Sequence, residues 1–101
     1  MNPLTPSQMK YLRGLAHGLK PVVLIGQSGL TGAVIEAAEA ALDRHELIKV
    51  KFNDVKDKPQ KKALADQLGK ATGSSLVGMI GHIAIFYRRQ KDAGKRKILL
   101  P

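Results

Sequence analysis

The chain lacks cysteine and tryptophan and has only two tyrosines and two phenylalanines among its 101 residues. Without cysteine it has no disulfide, no thiolate zinc site and no cysteine nucleophile. This fits a reducing compartment, so we expect a cytoplasmic protein. Because aromatic rings are so few, the core must be aliphatic. The base-stacking platforms of sheet-type RNA readers are scarce for the same reason.

Long apolar runs and catalytic motifs are missing as well. The apolar runs span about five residues and no leader pattern follows Met1, so neither a membrane span nor a signal peptide is expected. The histidines show no metal-ligand spacing. Ser28 lacks the Gly-x-Ser-x-Gly setting of a nucleophile, and its turn lacks the Gly-Lys-Ser/Thr ending of a P-loop. We therefore expect no enzyme, no metal and no cofactor.

Acidic residues are few and unevenly placed. Asp and Glu number 8 against 17 Lys and Arg, which gives a formal net charge of +9. Four of the acids lie within residues 33–46, where Arg44 is the only Lys or Arg. The rest of the chain is strongly basic, and this excess favours nucleic acid as the partner over a charge that only serves solubility.

Capping residues and apolar periodicity predict three helices. The first begins after Thr5 and the third after Asp57, each with proline in its first turn. Thr31 caps the second helix, and its inward side is expected to hold Val34, Ala37, Ala38, Ala41 and His45. The apolar face of the first helix is predicted to hold Leu12, Leu15, Ala16 and Leu19, beside an acid-free stripe of Lys10, Arg13, His17 and Lys20.

Four strands complete the pattern. Residues 22–25 form a continuous apolar run, typical of a strand covered on both faces, and residues 47–52 alternate, with one side in the core. Residues 76–80 and 83–87 flank Gly81-His82, a two-residue hairpin signal. The order α-β-α-β-α-β-β predicts an α/β fold, an α+β sandwich in which helices pack on a mixed four-stranded sheet.

A single domain is expected over residues 1–101, with 88–101 as a basic C-terminal tail. Within that tail Asp92 is the one acid among six Lys and Arg residues. Such a tail is either mobile and solvated or an arm that wraps nucleic acid. The apolar residues 98–100 near its end suggest that part of it folds back onto the domain.

A Gly-x-x-Gly turn, Gly26-Gln27-Ser28-Gly29, joins the first strand to the second helix. Glycines let the backbone approach a bulky ligand, and a helix N-terminus presents N–H groups and partial positive charge at the same place. On so basic a chain the expected ligand is a nucleic-acid phosphate. Glycines are also common in turns for purely structural reasons, so the motif alone decides little.

Three stretches together resemble the CRM domain family, and more closely its stand-alone bacterial YhbY-type members. They are Pro21-Val22-Val23-Leu24-Ile25-Gly26-x-x-Gly29-Leu30-Thr31, then His45-Glu46-Leu47-Ile48-Lys49-Val50-Lys51, then Ile80-Gly81 with Phe86-Tyr87-Arg88. The resemblance covers nearly the whole chain. It implies an RNA-binding fold with a KH-like Gly-x-x-Gly loop. For the bacterial members it also implies association with precursors of the large ribosomal subunit through ribosomal RNA.

The resemblance also maps the RNA-contacting loop onto Gly26, Gln27, Ser28 and Gly29. Many family members carry a Lys or Arg inside that loop, whereas Gln27 and Ser28 bring no charge, so neighbouring cations must supply it. The candidate cations are Arg13, Lys20, Lys49, Lys51, Arg88, Arg89, Lys95 and Arg96. Lys49 and Lys51 qualify if their side of the strand is uncovered. Tyr87 could stack on a base or lie half-buried at a sheet edge.

Other functions remain open at the level of sequence. The chain could be a protein-interaction module on ribosomal or regulatory partners, or a general RNA binder or chaperone. Charge alone would also admit DNA. A small hydrolase using Ser28 or His45 is the weakest alternative, and nothing in the sequence demands more than a monomer.

Overall fold

A computed structural model describes residues 4–101, so residues 1–3 of the predicted domain lie outside the described residues. Over this range the chain forms helices and strands in the predicted order. The helices are α1 (Pro6–Ala16), α2 (Gly32–His45) and α3 (Lys58–Thr72), and the strands are β1 (Pro21–Ile25), β2 (Leu47–Phe52), β3 (Ser75–Ile80) and β4 (Ile83–Tyr87). A 3-10 turn, Ala93–Lys95, follows in the tail.

The strands form one mixed sheet in the order β1-β2-β4-β3. The strands β1 and β2 are parallel, whereas β4 is antiparallel to both of its neighbours. The predicted α/β class with a mixed four-stranded sheet and a Gly-x-x-Gly loop between β1 and α2 is therefore confirmed.

The predicted caps start each helix. The Thr5 hydroxyl accepts a hydrogen bond from the Gln8 N–H, while the Gln8 side chain accepts one from the Thr5 N–H, which completes a capping box. The side chains of Thr31 and Asp57 likewise accept from N–H groups of the first turns of α2 and α3. Local sequence thus determines where all three helices begin.

Helices α2 and α3 cover one face of the sheet and α1 covers part of the other. The first face holds the larger apolar cluster, which includes Ile25, Leu42, Val50, Phe52 and Phe86. The second face holds a smaller cluster of buried residues: Leu12, Ala16, Leu47, Val77, Ile85 and Tyr87. The alternation predicts Ile48, Val50 and Phe52 on the one core-facing side of β2, but Leu47 on the other side is buried in the smaller cluster, so both faces of the sheet are used.

Two details differ from the sequence interpretation. The exposed side chains of Val22 and Leu24 show that β1 is covered on one face only. Helix α1 has 11 residues and spans about 16 Å, and it contacts β2, β3 and β4, so its reach ends before β1. On α2, Leu42 rather than His45 faces inward, because the face that meets the sheet is rotated from the predicted one.

The C-terminal tail folds back onto the body. Ile98 and Leu100 pack against the smaller cluster, and the Gln8 side-chain amide donates to the carbonyl of Pro101. Of the two forms considered for the tail, neither a fully solvated segment nor a freely extended arm matches these contacts. The suggested return of residues 98–100 matches them.

Candidate nucleic-acid interface

Three loops meet at one end of the sheet, which we call the loop end. They are residues 26–31 after β1, residues 53–57 after β2, and the hairpin turn 81–82. The Asn53 N–H donates to the Ile25 carbonyl at 2.7 Å, and the Phe52 N–H donates to the His82 carbonyl at 2.8 Å. These bonds join the loops into one surface, from which both α2 and α3 start.

The Gly-x-x-Gly segment is a closed turn. The Gly29 N–H donates to the Gly26 carbonyl at 3.0 Å, and Gly29 has a φ of 70°. That backbone conformation is easy for glycine and strained for other residues. Between the two glycines, Gln27 and Ser28 are exposed. Within residues 4–101 no hydrogen bond engages their N–H groups or side chains, so the tip of the turn can accept an outside ligand.

The N-terminus of α2 favours an anion beside this turn. Neither α2 nor α3 has an acidic residue in its first turn, and both helices start at the loop end. The Asp57 carboxylate offsets the dipole of α3, whereas α2 is capped by the neutral Thr31, so the partial positive charge of α2 is the one available there. A phosphate group at the tip of the turn would meet backbone N–H groups and no carboxylate of α2.

A buried lysine holds the hairpin turn in place. Lys61 on α3 is only 5% exposed. Its Nζ donates to the Gly81 carbonyl at 3.2 Å and lies 3.4 Å from Nδ1 of His82. The ammonium group is thus used inside the protein, and its contribution to a ligand site is structural.

Of the eight candidate cations, Lys51 lies nearest to the loop end. It is exposed and pairs with Leu24 on one side and Ile83 on the other. Two further lysines there, Lys56 and Lys58, were not singled out from sequence; both are exposed, near Asp54 and Asp57. The signal was available, because parallel strands β1 and β2 bring the loops that follow them to the same edge.

Arg13 and Lys49 lie on the α1 side of the sheet and contact backbone carbonyls. An Arg13 guanidinium nitrogen donates to the Val77 carbonyl at 3.0 Å. The Lys49 ammonium donates to the Leu19 carbonyl at 2.9 Å, just beyond the C-terminus of α1. These contacts attach α1 to the sheet, so the side of β2 that carries Lys49 is partly covered.

Arg88 forms the densest polar cluster at the opposite end of the sheet, which we call the tail end. Its guanidinium contacts the Glu39 carboxylate at 2.7 Å, the Asp43 carboxylate at 2.8 Å and the Thr72 carbonyl at 2.7 Å. It joins α2, α3 and β4, and two of its partners belong to the acidic segment noted in the sequence. The structure gives this arginine internal partners.

The remaining predicted cations also lie away from the Gly-x-x-Gly turn. Lys20 is exposed just before β1, and Arg89 and Lys95 are exposed on the tail. Arg96 donates through Nε to the Gln90 carbonyl at 2.8 Å. The structure thus brings Lys51 to the loop end and distributes the other candidates over α1, the tail end and the tail.

Glu46 is the residue that sequence reasoning missed most clearly. It is 1% exposed and has a φ of 63°, at the C-terminal cap of α2. Its carboxylate accepts from three backbone N–H groups: those of Lys97 at 2.6 Å, Gln90 at 2.9 Å and Ile98 at 3.1 Å. This buried carboxylate fastens the tail to the body. It also lies close to Tyr87, whose pKa is raised above 10.0 by burial and, secondarily, by the charge of Glu46.

Tyr87 takes neither of the two predicted roles. Tyr87 is buried on β4, which lies between two other strands, so its ring is not accessible to a base.

In residues 4–101, no group of three or more His, Cys, Asp or Glu side chains is arranged to hold a metal ion. Within the same range, every helix is too short or too polar to cross a membrane.

Comparison with known protein families gives a match over most of the chain. The profile of the CRS1/YhbY (CRM) domain matches residues 4–88. That range includes the Gly-x-x-Gly turn, the hairpin turn and Glu46, and it ends at Arg88.

Individual relatives agree with the family match. An RNA-binding protein of Haemophilus influenzae is 42% identical over 100% of this chain and 98% of its own length. A protein of Pseudomonas aeruginosa named a probable RNA-binding protein is 39% identical over 91% of this chain and 88% of its own length. The solution structure of a Staphylococcus aureus protein superimposes with a TM-score of 0.82 at 37% identity, covering 98% of this chain and 100% of that one.

Proposed function

Since this chain belongs to the CRS1/YhbY (CRM) domain family, we propose that it is an RNA-binding protein without enzymatic activity. We propose further that it associates with precursors of the large ribosomal subunit through ribosomal RNA. The names of the relatives from Haemophilus influenzae and Pseudomonas aeruginosa support the RNA partner. The absence of cysteine is compatible with the reducing cytoplasm, where we place this activity.

The observation that carries the proposal is the open tip of the Gly-x-x-Gly turn. Gln27 and Ser28 are exposed at the start of a helix whose first turn holds no acid. Backbone N–H groups and the side chains of Gln27 and Ser28 would hold a phosphate, and Lys51, Lys56 and Lys58 would supply positive charge. Such contacts recognise the RNA backbone and its shape more than base sequence.

The charge of the chain predicts that RNA binding depends strongly on salt. With a net charge of +9, binding should weaken steeply as salt is added, because each neutralised phosphate releases counterions. The plot of log affinity against log salt should have a slope of about −0.7 for every phosphate contacted on a single strand. A slope near zero would oppose backbone recognition.

The test is crosslinking in cells, followed by recovery and sequencing of the RNA attached to the protein. Reads concentrated on one region of large-subunit ribosomal RNA are expected. Reads scattered over messenger and transfer RNAs would indicate a general RNA binder, and reads at background would contradict RNA binding altogether.

Ser28→Glu is the matched variant, with Ser28→Ala as its control. Both change an exposed side chain, but only the first places a negative charge where the phosphate would lie. We expect Ser28→Glu to weaken binding of the recovered RNA by about tenfold, which corresponds to about 1.4 kcal/mol. Equal affinities for the two variants would show that the turn is not the site. Gly29→Asp is a less specific test, because the positive φ of Gly29 would also strain the fold.

A further inference from the structure

An open apolar groove of about 510 Å³ lies at the tail end, on the side of the sheet that carries α1. Its walls come from α1 and the turn after it, from β1, and from the tail. The exposed apolar side chains that line it are Tyr11, Leu15, Leu19, Val22 and Leu99. This groove exists because α1 ends short of β1, so one face of that strand has no helix of the described part of the chain over it.

The rim of the groove is basic. Lys20, Lys97 and His45 line it together with the apolar residues, and among residues 4–101 no acidic residue does. Glu46, the carboxylate next along the chain, is buried and engaged by three N–H groups of the tail. An occupant would therefore meet apolar walls and cationic edges.

We propose that this groove binds an acidic amphipathic helix of a protein partner. Helices that dock in grooves insert apolar side chains spaced at i, i+3 or i+4, and i+7, and a groove of this volume holds a few such side chains. Carboxylates flanking those side chains would complement Lys20 and Lys97. This assigns Lys20, one of the cations predicted for RNA, to a protein contact.

Two other occupants fit the groove less well. A second copy of this chain would bring another net charge of +9 to a basic rim, and this opposes self-association. RNA phosphates would find few polar partners on walls made of leucine, valine and tyrosine carbon atoms. The proposal goes beyond RNA binding, because it gives the protein a second contact at the opposite end of the sheet from the Gly-x-x-Gly turn.

The test places the photo-crosslinking residue benzoylphenylalanine at position 22 of the full chain, expressed in a bacterial host. Position 24 is the matched control. Val22 and Leu24 are two residues apart on β1, so their side chains point to the same face. They are 52% and 55% exposed, but only Val22 lines the groove. After irradiation and nuclease digestion, the adducts are identified by mass spectrometry.

We expect position 22 to give at least five times more protein adduct than position 24. The crosslinked partner segment should be net negative, with apolar residues at helical spacing. Leu15→Glu, which places a carboxylate in the groove, should reduce the adduct from position 22 at least fivefold, whereas Leu24→Glu should leave it unchanged. Any of the following would overturn the proposal: adducts with RNA, adducts with a second copy, adducts with a basic segment, or equal yields from the two positions.

Discussion

The two ends of the sheet differ in how the cations closest to the body of the protein are engaged. At the tail end, Arg88 is held by two carboxylates and a carbonyl, and Arg96 by a carbonyl of the tail itself. At the loop end, Lys51, Lys56 and Lys58 are exposed side chains. Only Lys61 there is withdrawn from solvent, and it fixes a turn.

This difference shows that positive charge in a sequence is not a measure of the charge available to a ligand. Arg88 and Arg96 stabilise the position of the tail, whereas the lysines of the loop end are exposed at the same edge of the sheet as an open turn. We therefore regard the polar clusters of Arg88 and Glu46 as the part of the tail end that maintains the fold, and the loop end as the part that is free to bind RNA. The following predictions test this division, from the largest expected effect to the smallest.

Glu46→Gln should have the largest effect. The change replaces one carboxylate oxygen by an amide nitrogen, which cannot accept a hydrogen bond from the N–H of Gln90, Lys97 or Ile98. Hydrogen bonds to charged groups contribute about 1.5–3 kcal/mol each, so we expect a loss of about 3 kcal/mol in the free energy of unfolding. Urea denaturation measures the loss, and hydrogen exchange should show it first at the amide of Gln90, because the glutamine oxygen would keep the position that accepts from Lys97 and Ile98.

Glu36→Gln is the control for that change, since Glu36 is exposed on α2, the helix that Glu46 caps. Its effect should stay within about 0.5 kcal/mol. If the Glu46 variant were equally mild, or if exchange rose first at the Gly29 amide of the loop end, the role assigned to the tail end would be wrong.

Lys61→Met comes next and concerns the one internal cation of the loop end. Methionine keeps the apolar stem but removes the donor, which leaves the Gly81 carbonyl without its partner. We expect a loss of about 1–2 kcal/mol in the free energy of unfolding and faster exchange of the Phe52 amide, which bonds to the hairpin turn.

Lys62→Met is the natural comparison for Lys61→Met. Lys62 pairs with Asp66 one turn along α3, on the surface. Surface pairs of this type contribute about 0.3–0.5 kcal/mol, so the Lys62 variant should be much closer to the wild type. Similar losses for the two variants would mean that the Lys61 contacts with the hairpin carry no special stability.

Much of the fold could be predicted because its determinants are local. Thr5, Thr31 and Asp57 cap the helices at the predicted places, and Gly81-His82 forms the hairpin turn. The coverage of β1 could not be predicted in this way. Whether its second face is buried depends on where α1 lies across the sheet, and apolar residues alone do not determine that position.

The candidate site could be predicted only in part, for a related reason. The Gly-x-x-Gly turn is a contiguous motif, whereas the fate of each cation depends on distant residues. The partners of Arg88 on α2 lie 49 and 45 residues earlier in the chain, and the Leu19 carbonyl that accepts from Lys49 lies 30 residues earlier. The tail contacts of Glu46 are similarly remote, so a residue that looked like one more surface acid is buried.

Gly29→Ala and Gly26→Ala form a pair that tests the turn itself. Alanine at position 29 would be held at a φ of 70°, which costs about 1–2 kcal/mol, although its Cβ would meet only Leu64 at 3.8 Å. At position 26 a Cβ would meet nothing within 4 Å, so the loss should be below about 0.5 kcal/mol. Thermal and urea denaturation of both variants measure the difference. Equal stabilities would mean that the turn relaxes freely and is not a preformed site.

Ionisation of Tyr87 should have the smallest effect on the free energy of unfolding, and this effect is absent at neutral pH. Burial, and then the charge of Glu46, raises its pKa in the folded protein above the ordinary 10.0. The unfolded chain therefore loses the phenolic proton at lower pH than the folded chain, so stability should be unaffected below pH 10 and should fall above it. One proton allows a slope of at most about 1.4 kcal/mol per pH unit. Urea denaturation between pH 8 and pH 11 should show this fall, and Tyr87→Phe should make it smaller.

Tyr11→Phe is the control for Tyr87→Phe, and it also allows the ionisation of Tyr87 to be measured alone. Tyr11 and Tyr87 are the two tyrosines of the chain, so removal of Tyr11 leaves Tyr87 as the only phenol. Its ionisation can then be followed by ultraviolet absorption. A midpoint above 10.0 in the folded protein would agree with a buried ring beside Glu46. A midpoint at or below that value would mean that water reaches Tyr87, and the tail would then not seal the tail end as its contacts indicate.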